Sequence, residues 1–431
     1  MNVTHALIEQ TFQAEASRVL AALVAQFRDF ELAEDVLQDA LLSALERWPQ
    51  DGIPHNPGAW LTTTARHRAI DRLRRDTTLE HKKATLKLLI DLEQYGDDAS
   101  DQDSADTIPD ERLKLIFTCC HPALAYESQV ALTLQTLGGL TTSEIAAAFL
   151  LPVATMAQRL VRAKRKIRDA GIPYQVPPAS AIRDRLDSVL AVIYLIFNAG
   201  YSASTSPEII RRDLCVEAIR LGQTLVDLLA ARPDNNLTDN TEVLGLLALM
   251  LLHHARLPGR IDAAGELVQL ENQDRHLWNA VEIRRGVAIL DQALALHNPG
   301  PYQVQAAISA LHAQALTATE TDWPQIVLLY GALLEMTPSP VIELNRAVAV
   351  AMAYGAEQGL LLLDKLKHDG TLDDYYLFHA AEADLLRRTG QIESARVSYN
   401  RALERCPSQA ETVFLRRRLA ELDKNDITSQ E

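Results

Sequence analysis

The stretch from Leu140 to Arg168, LTTSEIAAAFLLPVATMAQRLVRAKRKIR, leaves the chain few ways to fold. Thr141 followed three residues later by Glu144 makes a capping box, in which each side chain takes the other's backbone N–H, and so starts a helix. Ile145, Ala148 and Phe149 give that helix an apolar side. Leu150 to Pro152 is a tight connection, and proline suits a helix start because its missing N–H is not needed there. In the next helix Met156, Leu160, Ala163 and Ile167 recur at helical spacing and point inward. Thr155, Arg159, Arg162 and Lys166 point outward, with Gln158 and Arg165 beside them. A short helix, a tight turn and a basic second helix read as a helix-turn-helix. Arg and Gln there match the hydrogen-bonding edges of guanine and adenine, while Lys164 and Lys166 suit phosphates. The weaker alternative is a helical hairpin with a basic surface.

The net charge of −15 runs against nucleic-acid binding only on average. Asp91 to Glu111 holds nine acids and no Lys or Arg, whereas Arg159 to Arg168 holds six basic residues and no acid. Local patches decide affinity for a polyanion. Ala and Leu dominate a chain that is 48% hydrophobic, so the fold class expected is all-α with ample core. No run approaches the ~18 apolar residues of a membrane helix. The longest candidate, Val243 to Leu252, reads as a core helix, and the N-terminus lacks a secretory pattern. A cytoplasmic protein without membrane contact is expected. Cys119, Cys120, Cys215 and Cys406 lack the paired spacing of a metal site and read as buried thiols. No metal or cofactor is implied.

Two further helices carry chemistry. In the segment around Leu32 to Trp48, Ala33, Leu37, Ala40, Leu41, Ala44 and Trp48 form an apolar stripe. Asp35, Gln38, Asp39, Leu42 and Glu46 share the opposite face. That face is acidic with one apolar residue in its middle, which fits a basic partner helix as well as solvent. After a Pro/Gly-rich loop from Trp48 to Gly58, the segment GAWLTTTARHRAIDRLRRD sets Arg68, Arg72 and Arg75 on one side, flanked by Arg66 and Arg74. A basic helix beside Trp60 suits phosphates and unpaired bases.

The chain divides at sequence level into residues 1–76, an acidic linker over 77–110, residues 111–176 with the helix-turn-helix, a helical extension over 177–295, and helical repeats over 296–422. The repeat signal is strongest from Tyr376 to Pro407. Ala383, Gly390, Ala395, Tyr399, Ala402 and Pro407 stand where tetratricopeptide (TPR) repeats place such residues, and Gly355 lies about one period before Gly390.

The order of the three motifs resembles the extracytoplasmic-function sigma factors. The matching residues are Ala33-Glu34-Asp35 with Gln38-Asp39, then Trp60-Leu61 with Ala65-Arg66, Asp71 and Arg74-Arg75, then Arg159-Leu160 with Arg162-Ala163-Lys164. The resemblance covers about Met1 to Tyr174. The remainder is similar to the helical extension of a subgroup with a TPR-type C-terminal domain. Phe117 to Pro122 and Leu344 to Ala349 also resemble that subgroup.

The resemblance implies a polymerase subunit that selects promoters and is not an enzyme, with core RNA polymerase and promoter DNA as partners. It places Asp35, Gln38, Asp39 and Leu42 against the clamp helices of the largest polymerase subunit. It places Trp60, Arg66, His67, Arg68, Arg72, Arg74 and Arg75, with the loop from Pro49 to Ala59, at the single-stranded −10 element. Thr155, Gln158, Arg159, Arg162, Arg165 and Lys166 fall at the −35 duplex. Many members have Asn in place of His67, Gly in place of Ala154, and Lys and Ser in place of Ala157 and Gln158, so the promoter sequence is expected to differ from theirs. The extension is expected to regulate activity and to bind a regulatory protein. The rival readings are a sensor-linked regulator that binds duplex DNA without polymerase, and a TPR scaffold without promoter activity.

Overall fold

The computed structural model describes residues 3–76, 104–148, 151–201, 212–230, 241–262, 266–407 and 409–428. Their regular structure is helical, apart from one isolated bridge between Ile261 and Leu267. The chain forms two units, 1–196 and 197–431. Among the described residues no helix is long and apolar enough to cross a membrane.

In the first unit α1 (Val3–Phe27), α2 (Phe30–Asp51) and α3 (Pro57–Asp76) pack on one another. Asp29 starts α2 by accepting from the N–H groups of Glu31 and Leu32 at 2.9 and 3.1 Å. Ala33, Ala40 and Ala44 of α2 and Ala65 and Ala69 of α3 are fully buried, small residues that let the helices approach closely. Phe30, Val36 and Ser43 are buried as well, while Leu41 is only half-buried. The loop expected from Trp48 to Gly58 is shorter than that. Helix α2 continues through Pro49 and stops at Gly52, whose φ of 85° breaks it. Asn56 then accepts from the N–H of Ala59 at 3.1 Å and starts α3.

Next come α4 (Ser104–Cys119), α5 (Tyr126–Thr136), α6 (Thr142–Ala148) and α7 (Val153–Asp169). Residues 104–110, grouped with the acidic linker on sequence, belong to α4, and 77–103 lie outside the described residues. Cys119 and Cys120 are buried beside the hydroxyls of Thr136 and Thr133, at 3.6 and 3.9 Å. Burial pushes both thiols up, Cys120 to about 12, so neither is a reactive thiolate. Cys215 is also buried, but Cys406 is partly exposed. Helix α8 (Ala179–Tyr201) is tied to α4 by Arg185, which donates to the carbonyl of Phe117 and lies 5.5 Å over its ring.

The second unit continues with α9 (Arg212–Ala230), α10 (Thr241–His254), α11 (Ala280–Leu294), α12 (Pro301–Gln314), α13 (Trp323–Met336), α14 (Pro340–Tyr354), α15 (Ala356–Asp369), α16 (Tyr376–Arg388), α17 (Ile392–Arg405) and α18 (Gln409–Thr428). Helix α10 is buried on almost every side, as its uninterrupted apolar run requires. Gly245 permits this, since a Cβ there would sit 2.7 Å from the backbone nitrogen of Gln303. The irregular stretch before α11 caps its neighbours. Arg275 donates to the carbonyls of His312 and Ala315, both at 2.7 Å, at the end of α12. Two successive hairpins turn at Gly355 and Gly390, with φ of 107° and 76°. Leu344, Ala347, Leu363, Leu366, Phe378 and Leu385 form one shared core across α14, α15 and α16.

Candidate nucleic-acid interface

Three exposed helix faces follow from this packing, all in the first unit. On α2, Asp35, Gln38 and Leu42 are exposed and Asp39 is half-buried, with Leu42 retaining 54% of its surface. An exposed leucine on an acidic face would fit a partner with a matching basic and apolar surface.

On α3, His67, Arg68, Arg72 and Arg74 are exposed and Arg66 is half-buried. The side chain of Arg75 lies outside the described residues. Trp60 is half-buried and meets Trp48 edge-on, with ring centroids 5.4 Å apart. The acidic and basic faces are not separate surfaces. Arg72 Nη1 lies 2.8 Å from Asp35 Oδ2, and Arg68 donates to Ser43 Oγ at 3.2 Å. Both partners of the Arg72–Asp35 pair are about half exposed, so the pair is worth at most ~1 kcal/mol and exchanges readily for other partners.

Helix α6 starts as its capping box requires, and Phe149 and Leu150 of the expected connection to α7 lie outside the described residues. The Thr141 N–H reaches Glu144 Oε2 at 2.8 Å, and the Glu144 N–H reaches Thr141 Oγ1 at 3.2 Å. Met156, Leu160, Ala163 and Ile167 of α7 are buried. Thr155, Gln158, Arg162, Arg165 and Lys166 are exposed, and Arg159 is half-buried. Among the described residues Arg162 and Lys166 make no ion pair, and Arg165 has only Asp169 at 3.3 Å. Val161, 53% exposed, stands between Gln158 and Arg165 on this face. Sequence periodicity overlooked it because a valine in a helix is ordinarily assigned to the core. Exposed apolar groups there suit the thymine methyl.

Lys164 departs from the sequence expectation of a phosphate contact. It is 8% exposed and gives two bonds to Glu34, at 2.5 and 2.7 Å. One turn on, Arg168 Nη1 lies 3.3 Å from Glu31 Oε2. The helix-turn-helix and the α1–α3 bundle are therefore in contact. Arg112 also donates to Ser17 Oγ at 2.8 Å, and Tyr174 Oη lies 2.9 Å from the carbonyls of Ala21 and Glu111. Among the described residues no group of three His, Cys, Asp or Glu side chains could hold a metal.

Comparison with known proteins shows which family regions carry these helices. Residues 11–78 match the Sigma-70 region 2 family and residues 114–167 match the family of Sigma-70, region 4. The chain belongs to the extracytoplasmic-function sigma factors of the sigma-70 family. Residues 185–294 of this sigma factor match a family of unknown function (DUF6596). An uncharacterized protein of Rhizobium meliloti (strain 1021) is 40% identical over 414 residues, which is 96% of this chain and 95% of the relative. No solved structure matches. A sigma factor serves promoter recognition by RNA polymerase; it is a transcription factor rather than an enzyme.

Proposed function

We propose that this sigma factor binds the clamp of core RNA polymerase through Asp35, Gln38, Asp39 and Leu42. Trp60, Arg66, His67, Arg68, Arg72, Arg74 and Arg75 then meet the −10 strand, and Thr155, Gln158, Arg159, Arg162, Arg165 and Lys166 meet the −35 duplex. The observation that carries this reading is the exposure of Asp35, Gln38 and Leu42 on α2 and of basic side chains on α3 and α7, within the matched family regions. An acidic face suits a basic protein helix, and basic faces suit nucleic acid. The second unit is read as a TPR-like array that regulates activity in cis and offers a docking surface for a regulatory protein.

The test is transcription in vitro with core polymerase and a supercoiled library of host DNA. Discrete starts that need the sigma factor, and that disappear with Asp35→Arg or Arg162→Glu, are expected. Binding to duplex promoter DNA without any affinity for polymerase would replace this reading with that of a polymerase-independent regulator. Truncation after Tyr201, which leaves Arg185 in place on α4, reports on the extension; unchanged transcription and partner binding would remove its regulatory role.

A further inference from the structure

We propose that Arg256, Arg260 and Arg275 form a binding site for a small oxyanion, a phosphate or carboxylate group, within the helical extension of this sigma factor. This site would stand even if the promoter-binding reading above fell.

The three guanidinium groups come from one irregular stretch, between the end of α10 and the start of α11, and meet the ends of α8, α10 and α12 there. Arg256 forms the floor. It is 6% exposed, its Nε finds no acceptor among the described residues, and its Nη2 lies 3.4 Å from His253 Nδ1. Arg260 lies 4.0 Å over the Tyr201 ring and donates to the Tyr201 carbonyl at 2.6 Å. Arg275 lies 4.9 Å over the Trp278 ring while it caps α12 through the carbonyls of His312 and Ala315. The stacked rings fix these two guanidinium planes. Each guanidinium carries five N–H donors, and the bonds named use only some of them. His253, Arg260 and Arg275 retain partial exposure, which keeps the cluster in touch with solvent.

The protein's own acids leave this charge uncompensated. Among the described residues none of the three arginines forms an ion pair with a carboxylate. Glu282 is held by His254 at 2.8 Å. Glu320, whose field reaches Arg275, accepts from the Leu316 N–H at 3.2 Å. Burial first, and then the field of Arg256, lowers the proton affinity of His253, His312 and Arg275 alike. One cation felt by groups on α10, on α12 and on the irregular stretch puts them all in one neighbourhood. A cation held out of water without a partner is costly, and an oxyanion in a guanidinium fork removes that cost. The planar fork of arginine matches two oxygens of a phosphate or a carboxylate, as lysine does not. Because Arg256 is recessed, a small anion reaches it where a duplex backbone would stop at the rim.

The test is calorimetric titration of the full chain with inorganic phosphate and with acetate, at constant ionic strength. Wild type should show a saturable site for phosphate, acetate or both. Arg256→Met should abolish that site, and Arg260→Gln should weaken it on the order of tenfold. The DNA-facing arginines can also take phosphate, so the binding that disappears with Arg256→Met is the measure. Phosphate alone would assign the site to a phosphate ester, and acetate alone to a carboxylate. Thermal melts keep a folding defect apart from a lost site. Arg256→Met keeps an apolar stem, so without anion it should melt no lower than wild type. Saturating anion should raise the melting temperature of wild type by about 4 °C more than that of the variant. An equal rise in both is the general stabilisation such salts give and would overturn the site. So would titrations of wild type and Arg256→Met that coincide. If Arg256→Met does not fold, Arg260→Gln decides by the same two measurements.

Discussion

The seam between α2 and α7 and the seam joining α14, α15 and α16 bring helices together by different physics. The first is held by Glu34–Lys164 and Glu31–Arg168, beside an open cleft. The second is a run of Leu344, Ala347, Leu363, Leu366, Phe378 and Leu385, flanked by one ion pair between Lys367 of α15 and Glu382 of α16. Charged groups leaving the first seam find water, phosphate or a protein partner. Apolar groups leaving the second find only water, at about 25 cal/mol per Å² exposed. The difference teaches that helical packing in this sigma factor is of two kinds, one suited to exchange of partners and one suited to permanence.

The largest expected effect tests permanence. Phe378→Ala should destabilise the array by about 3–5 kcal/mol, because Phe378 is 1% exposed and its removal leaves a cavity. Denaturant unfolding should show the loss, while the distance between α2 and α7 stays as in wild type. A change in that distance would mean that the two seams are coupled and that the comparison fails.

Acid should sharpen the same contrast. His312 is pushed down to about 3 by burial and by the nearby guanidinium groups of Arg256 and Arg275, and burial lowers His253 in the same way. An unfolded histidine near 6.5 takes a proton that folded His312 refuses. The contribution of His312 is therefore complete above pH 6.5 and is lost as pH falls from 6.5 toward 3, by up to about 1.4 kcal/mol per pH unit. His312→Phe keeps a ring against Trp323, which His312 meets edge-on at 5.1 Å. In thermal melts it should flatten the acid slope of the array. A slope as steep as that of wild type would remove His312 from the account.

Much of the fold was legible before any coordinates. The capping box at Thr141 and Glu144, the apolar stripes of α2 and α7 and the all-apolar run of α10 follow from spacing alone, because local hydrogen bonds and helical period decide them. Exposure of Asp35, Gln38, Leu42, Arg162 and Lys166 follows from the same period. The role of Lys164 does not. A lysine beside an inward stripe defaults to solvent, and its carboxylate is 130 residues away in sequence. The continuation of α2 through Pro49 was hidden for a related reason. Proline there suggests a break, but the helix runs on through Pro49 and ends at Gly52 instead. Arg275 as a cap on α12 was equally invisible, since the orphan carbonyls it serves come from another element. Thr141→Ala should test the legible part, with a loss of ~1 kcal/mol in the stability of the helix-turn-helix by hydrogen exchange. No loss would mean that packing of Ile145 and Leu160, rather than the cap, starts α6.

The smallest stability effect separates a folding charge from a binding charge. Arg165 is 70% exposed and, among the described residues, pairs only with Asp169, one turn along the same helix. Exposed pairs at that spacing contribute about 0.3–0.5 kcal/mol, so Arg165→Gln should leave the melting curve within error. The same change removes a cation from the face that carries Gln158, Val161 and Arg162. If that face meets DNA as proposed, the polymerase–sigma complex should lose promoter affinity, and the slope of log affinity against log salt should fall by about 1 for a phosphate contact. A base contact would instead change which promoter sequences are preferred and leave the slope nearly as it was. An unchanged slope together with unchanged preference would show that α7 presents a different edge to the duplex, one that includes Thr155 and Lys166 but excludes Arg165.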